Sequence, residues 1–129
     1  MLSTRYLLVA LGGALGSAGR YWVGGWAPRL LGPAFPYGTL MVNVLGSFLI
    51  SLLMGVALET TSIPVNLRLF LTTGVMGGFT TYSTFNYETL VLLQQRVWLA
   101  AGLNLAGTLL GCLLAGVLGL WVARWVTGT

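Results

Sequence analysis

The chain has 129 residues, 57% of them hydrophobic and only 6% charged, with a net charge of +4 and no histidine. Soluble domains carry about 25% charged residues, so this composition excludes a water-soluble globule and leaves a single-domain integral membrane protein over 1–129. Six scattered arginines exclude a nucleic-acid surface, and one cysteine without histidine excludes zinc clusters, catalytic triads and an intrachain disulfide.

The first predicted span is 6–26. It is longer than the apolar stretch of a signal peptide and lacks a small-x-small cleavage site, so it reads as a mature helix. Gly12 and Gly16, and Gly13 and Ser17, lie four apart, a spacing that lets a second helix approach closely. Arg20 falls in the last third of the span. It either snorkels to the interface or faces a watery vestibule that draws anions, and the two are compatible.

Pro28, Gly32, Pro33 and Pro36 predict a short connection, and the second span is 37–58. Thr39, Asn43, Ser47 and Ser51 recur every four residues and form a slowly drifting stripe on one helix face. An amide in lipid must find partners. A single intramembrane Asn is often interhelical glue, but a stripe of four polar residues favours the lining of a polar pathway.

Pro64 is placed to begin the third span, 65–94, which is too long for one perpendicular helix of about 20 residues. Its middle, from Gly74 to Asn86, is built of poor helix formers: Gly74, Gly77, Gly78, Thr80, Thr81, Ser83 and Thr84. A broken helix in a membrane is tolerated where the backbone is buried, lines a watery cavity or holds an ion. Phe79, Tyr82 and Phe85 fall near one face, interleaved with hydroxyls. Glu88 is the only acid within a span and is a functional candidate for that reason.

The fourth span is 97–126. Leu103, Gly107, Gly111, Ala115 and Gly119 predict a long groove for helix packing, and beside it run Asn104, Thr108, Cys112 and Gly116. Trp22, Trp26 and Trp98 fall at one membrane face, Trp121 and Trp125 at the other. Four spans put Arg5, Arg68 and Arg124 on one side and Arg20, Arg29 and Arg96 on the other. A tie gives no orientation signal, which predicts insertion both ways up and an antiparallel homodimer.

Gly16-Ser-Ala-Gly-Arg20, Gly38-Thr-Leu-Met-Val-Asn43 with Gly46-Ser47-Phe48, and Gly74-Val-Met-Gly-Gly-Phe-Thr-Thr-Tyr-Ser-Thr-Phe85 together resemble the Fluc (CrcB) fluoride channels. The resemblance covers essentially the whole chain. It implies an all-α, dual-topology dimer of four-span subunits with the third helix broken near the midplane and two antiparallel pores. It also implies a structural Na+ at the dimer centre, held by backbone carbonyls that fall on Gly77 and Thr80. The family's pore aromatics fall on Tyr82 and Phe85 and its pore amide on Asn43. Position 82 departs from the family pattern, which has phenylalanine there.

The expected function is a passive, fluoride-selective pore in a bacterial inner membrane, lowering cytoplasmic fluoride, and not an enzyme. Fluoride is small and strongly hydrated, so its water must be replaced by ring edges, an amide and hydroxyls. The expected pathway is Asn43, Tyr82, Phe85, Ser83, Thr84 and Thr39, with Arg20 and Glu88 at a vestibule or gate and Ser47, Asn104 and Thr108 as further polar lining. Two alternatives are a small multidrug transporter and a non-transporting accessory subunit. The first needs a carboxylate in the first helix, which this chain lacks; the second leaves the polar stripes and the weak helix unexplained.

Overall fold

The structure is a computed structural model and describes residues 2–129. Those residues form only helices: α1 (Leu2–Leu31), α2 (Tyr37–Glu59), α3 (65–79), α4 (Tyr82–Gln94) and α5 (Trp98–Thr127). Between α3 and α4, Thr80 (φ −89°, ψ 156°) and Thr81 (φ −153°, ψ 116°) are extended.

The expected end of the first span near Trp26 is corrected. α1 runs through Pro28 to Leu31 and closes on Gly32, whose amide bonds Pro28 O at 2.9 Å. A proline in the last turns removes one helical bond without ending the helix at once, and the stop comes at Gly32, where φ is +94°. At the end of α4, Arg96 takes the left-handed position (φ 59°), and Arg96 and Val97 amides return to Leu93 O and Leu92 O at 3.0 and 2.9 Å.

α2 and α5 are each long and apolar enough to cross a membrane. At 23 residues α2 is about 35 Å long, slightly more than a hydrocarbon core. α2 packs most extensively on α5, and α1 packs on α3 and more lightly on α2. The outer face of α5 is covered with leucine, Leu114 being 68% exposed, a surface that calls for lipid or protein rather than water.

Glycine makes the close seams. A Cβ on Gly12 would lie 2.5 Å from Phe70 O and 2.9 Å from Gly74 Cα, and one on Gly78 would lie 2.5 Å from Gly13 O. α1 and α3 thus touch backbone to backbone, as the small-xxx-small spacing predicted. Along that seam, Phe70–Met76 is wound as a π-helix, with Thr72 Oγ1 donating to Arg68 O at 2.8 Å. The α5 groove is only half as expected. Leu103 is 54% exposed and a Cβ on Gly107 would meet nothing, whereas Gly119 lies against Phe48 O and Gly116 against Ser51. Beyond Gly111 the seam is real; before it, the face turned inward carries Asn104 and Thr108 instead.

Candidate functional site

A continuous helix through Thr80 and Thr81 would give each backbone amide to the carbonyl four residues earlier. Tracing where those groups go instead defines the site. Thr80 still closes its turn, donating N–H to Met76 O at 3.0 Å and Oγ1 to the same oxygen at 2.9 Å. The Thr81 amide leaves the helix and donates to Asn43 Oδ1 at 2.8 Å, while Asn43 Nδ2 donates to Thr81 O at 3.0 Å. One buried amide on α2 therefore satisfies both polar groups of the extended residue, as a neighbouring β-strand would. Thr81 then caps α4, its Oγ1 accepting from Thr84 N at 3.2 Å.

Two carbonyls lose their helical donors in this exchange. The amide that would reach Gly77 O is spent on Asn43, and the one that would reach Thr80 O is spent on Thr81 Oγ1. Gly77 and Thr80 line one small cavity of about 150 Å³ together with Gly46, Ser47, Ile50 and Met76. Of the two carbonyls between them in sequence, that of Gly78 is taken from the other side: Arg20 Nε donates to it at 3.1 Å. Arg20 is half-buried, and a cation at the C-terminal end of a helix gains about 0.3–1 kcal/mol from the helix dipole.

A second cavity, of about 270 Å³, is lined by Asn43, Ser47, Thr80, Thr81, Tyr82, Phe85, Thr108, Leu109 and Cys112. The two cavities share Ser47 and Thr80. Phe85 is 3% exposed, and the Tyr82 ring meets it edge-on at 5.6 Å and 75°, while Tyr82 itself is 73% exposed. Thr108 Oγ1 is buried with no hydrogen-bond partner in the structure. An unsatisfied buried hydroxyl costs about 1–3 kcal/mol, so this one is a donor available to something in the cavity.

The remaining expected residues divide into three groups. Arg20, Thr39 and Thr84 line a third cavity, of about 530 Å³, with Arg29, Tyr21, Gly24, Gly25, Gly38 and Thr81. Glu88 sits beside it, accepting a hydrogen bond from Thr39 Oγ1. Ser83 is exposed, its Oγ 3.4 Å from Thr81 Oγ1, and lines none of the three cavities. Asn104 also lines none of them. It is sealed between α5 and α4, donating Nδ2 to Thr89 Oγ1 at 2.9 Å, and Thr89 donates on to Phe85 O at 2.8 Å. Asn104 is thus an interhelical tie between α5 and α4. Asn104→Ala is expected to cost about 1–2 kcal/mol, the worth of one interhelical hydrogen bond in a membrane. Denaturation in mixed micelles should read that loss, with the transport activity of the folded fraction kept.

Sequence reasoning did not find the Arg20–Gly78 tie or the pair of hydrogen bonds between Asn43 and Thr81. The available signal was the number of backbone groups that a break at Gly77–Thr81 sets free, which must be matched by donors and acceptors elsewhere.

The family model described as CrcB-like protein, Camphor Resistance (CrcB), matches residues 7–120. A curated protein named fluoride-specific ion channel FluC, from Anaeromyxobacter dehalogenans, is 55% identical over 124 residues, 96% of this chain and 98% of its own length. Proteins of the same name from Sorangium cellulosum and Geobacter sulfurreducens are 52% identical over 120 residues and 47% identical over 121. They are covered over 94% and 98% of their lengths.

Proposed function

We propose, from the premise that the chain belongs to the CrcB-like family, that it is a fluoride-selective ion channel and not an enzyme. The observation that carries this reading is the cavity at the helix break, which an amide, an unpartnered hydroxyl and two aromatic rings line together. Each is a partner for a small anion that has shed water. Ring edges are the positive part of the aromatic quadrupole, and hydroxyl and amide hydrogens are donors. Asn43 brings one free N–H rather than two, since the other is committed to Thr81 O. That commitment also fixes which way the amide faces. No carboxylate lines this cavity, so no fixed negative charge there repels an anion.

A cation site at the break agrees with the same backbone accounting. Gly77 and Thr80 line one cavity and have carbonyl oxygens without helical donors, and neutral carbonyls are the ligand chemistry of a monovalent hard cation such as Na+. Among the described residues no group of acidic, histidine or cysteine side chains is assembled for a divalent metal. A bound Na+ would supply positive charge beside the anion path, because its cavity and the path share Ser47 and Thr80. The Thr80 hydroxyl is turned back to Met76 O, so the ligand at this position is the main chain.

The working unit is an antiparallel homodimer in a bacterial inner membrane, with the third helix broken near the midplane. The arginine tie supports dual insertion, and the exposed Tyr82 and leucine-covered faces support burial against a second copy or lipid. Reporters fused to the C-terminus should signal from both sides of the membrane; signal from one side alone would sink dual insertion. An inside-negative potential favours anion exit by about 2.3 kcal/mol per 100 mV, so a passive pore lowers cytoplasmic fluoride without further coupling.

The direct test is anion efflux from proteoliposomes holding purified protein. A fluoride electrode should read rapid release after the potential is collapsed by a potassium ionophore, while a chloride electrode reads retention. Equal release of both ions, or none from folded protein, would overturn the reading.

A further inference from the structure

We propose that Arg20 is the positioning residue of the cation site, holding Gly78 O so that the carbonyls of Gly77 and Thr80 are the ones left to a cation. This inference rests on the proposed sodium site and adds a residue that does not touch the ion. The break strips helical donors from consecutive carbonyls at the end of α3. Free to turn, those oxygens would compete for any cation nearby. They are not free. Gly78 is pressed against α1, where a Cβ would lie 2.5 Å from Gly13 O and 3.0 Å from Ser17 N. Its carbonyl is bound from that side by Arg20 Nε at 3.1 Å. Gly77 and Thr80 line the cavity formed with α2, beside Gly46 and Ser47.

The chemistry explains why the residue is arginine. Its charge is permanent, and its guanidinium is less strongly hydrated than an ammonium, so it can bind a lone carbonyl half out of water. Among the described residues Arg20 has no acidic partner within ion-pair distance, and Glu88 is bonded by Thr39 instead. The Gly78 carbonyl is therefore the anchor of this side chain. Anchoring also places a fixed positive charge at the same helix end as the cation.

The test uses the full chain as purified dimer, with Na+ titrated into a Na+-free buffer and thermal unfolding as the readout. The unmodified protein is stabilised by Na+ with a defined half-point, and fluoride flux in proteoliposomes follows the same half-point. In Arg20→Met the half-point for stabilisation should rise about tenfold, the worth of one charge-assisted hydrogen bond. Arg20→Lys should recover much of the shift. An unchanged half-point in folded Arg20→Met overturns the proposal while leaving the cation site standing. An equal loss in Arg20→Lys and Arg20→Met also overturns it, because any donor at this position should help. If Arg20→Met yields no dimer, Arg20→Leu, which also lacks a donor, is titrated in its place under the same criteria. No response to Na+ in the unmodified protein removes the cation site itself, and this inference with it.

Discussion

Asn43→Ala is expected to reduce fluoride flux on the order of a hundredfold or more, the factor that corresponds to about 2.7 kcal/mol. Two losses combine. The anion loses the free N–H of the amide, and Thr81 loses both partners of its peptide group, Oδ1 at 2.8 Å and Nδ2 at 3.0 Å. In a membrane interior those backbone groups have no water to turn to. Thr81 N–H then regains access to Gly77 O, and the helix can close over the break. Asn43→Asp separates the two roles. The carboxylate still accepts from Thr81 N–H, so the break should hold and the protein should fold, but the donor is gone and a negative charge lines the cavity. Stopped-flow or electrode-monitored efflux should find Asn43→Asp folded and silent to fluoride. Substantial flux in Asn43→Asp would mean that the amide is scaffold only.

Gly16→Val is expected to leave no folded protein. The added Cβ would fall inside contact distance of Val75 O, and would lie 2.8 Å from Phe79 N and 2.9 Å from Val75 C. All three are main-chain atoms of α3, which cannot swing aside as a side chain can. α1 must move off α3 instead, taking with it the Arg20 contact to Gly78 and the Gly12 seam. Overpacking alone costs about 1–3 kcal/mol, and lifting a backbone-to-backbone seam costs more. Size-exclusion chromatography should give aggregate in place of a defined peak. Gly13→Ala is the control, because a Cβ there meets nothing within 4 Å, and α1 should stay seated on α3. A well-folded Gly16→Val would mean that the α1–α3 seam is looser than this geometry.

The helices and their order were legible in the sequence because lipid imposes a severe rule: apolar runs of sufficient length, ended by proline, glycine and charge. That another helix approaches α1 closely was legible in Gly12 and Gly16, since small residues permit it; that the partner is α3 was not. The grouping of Asn43, Ser47, Tyr82, Phe85 and Thr108 around one cavity was partly legible, because helical spacing sorts residues onto faces. Spacing names a face but not what the face meets. Asn104 and Thr108 share a stripe, yet one is an interhelical tie to Thr89 and the other opens on the cavity. The same limit applied to Gly107, which has the packing spacing and no packing partner within the chain.

The sequence alone determined that this is a helical membrane chain, that its third span is weak at Gly77 to Thr81, and which residue types an anion path has at its disposal. Its motifs, matched across the chain, also placed it in its family. Tertiary structure decided how the freed backbone groups are distributed: Thr81 to Asn43, Thr84 N–H to Thr81, Gly78 to Arg20, and Gly77 and Thr80 to a shared cavity. The physical reason is that a break in a helix is a local property of the chain, set by glycine and threonine. The partners that satisfy its carbonyls and amides come from α1 and α2, and only the packing of those helices brings them within hydrogen-bond reach.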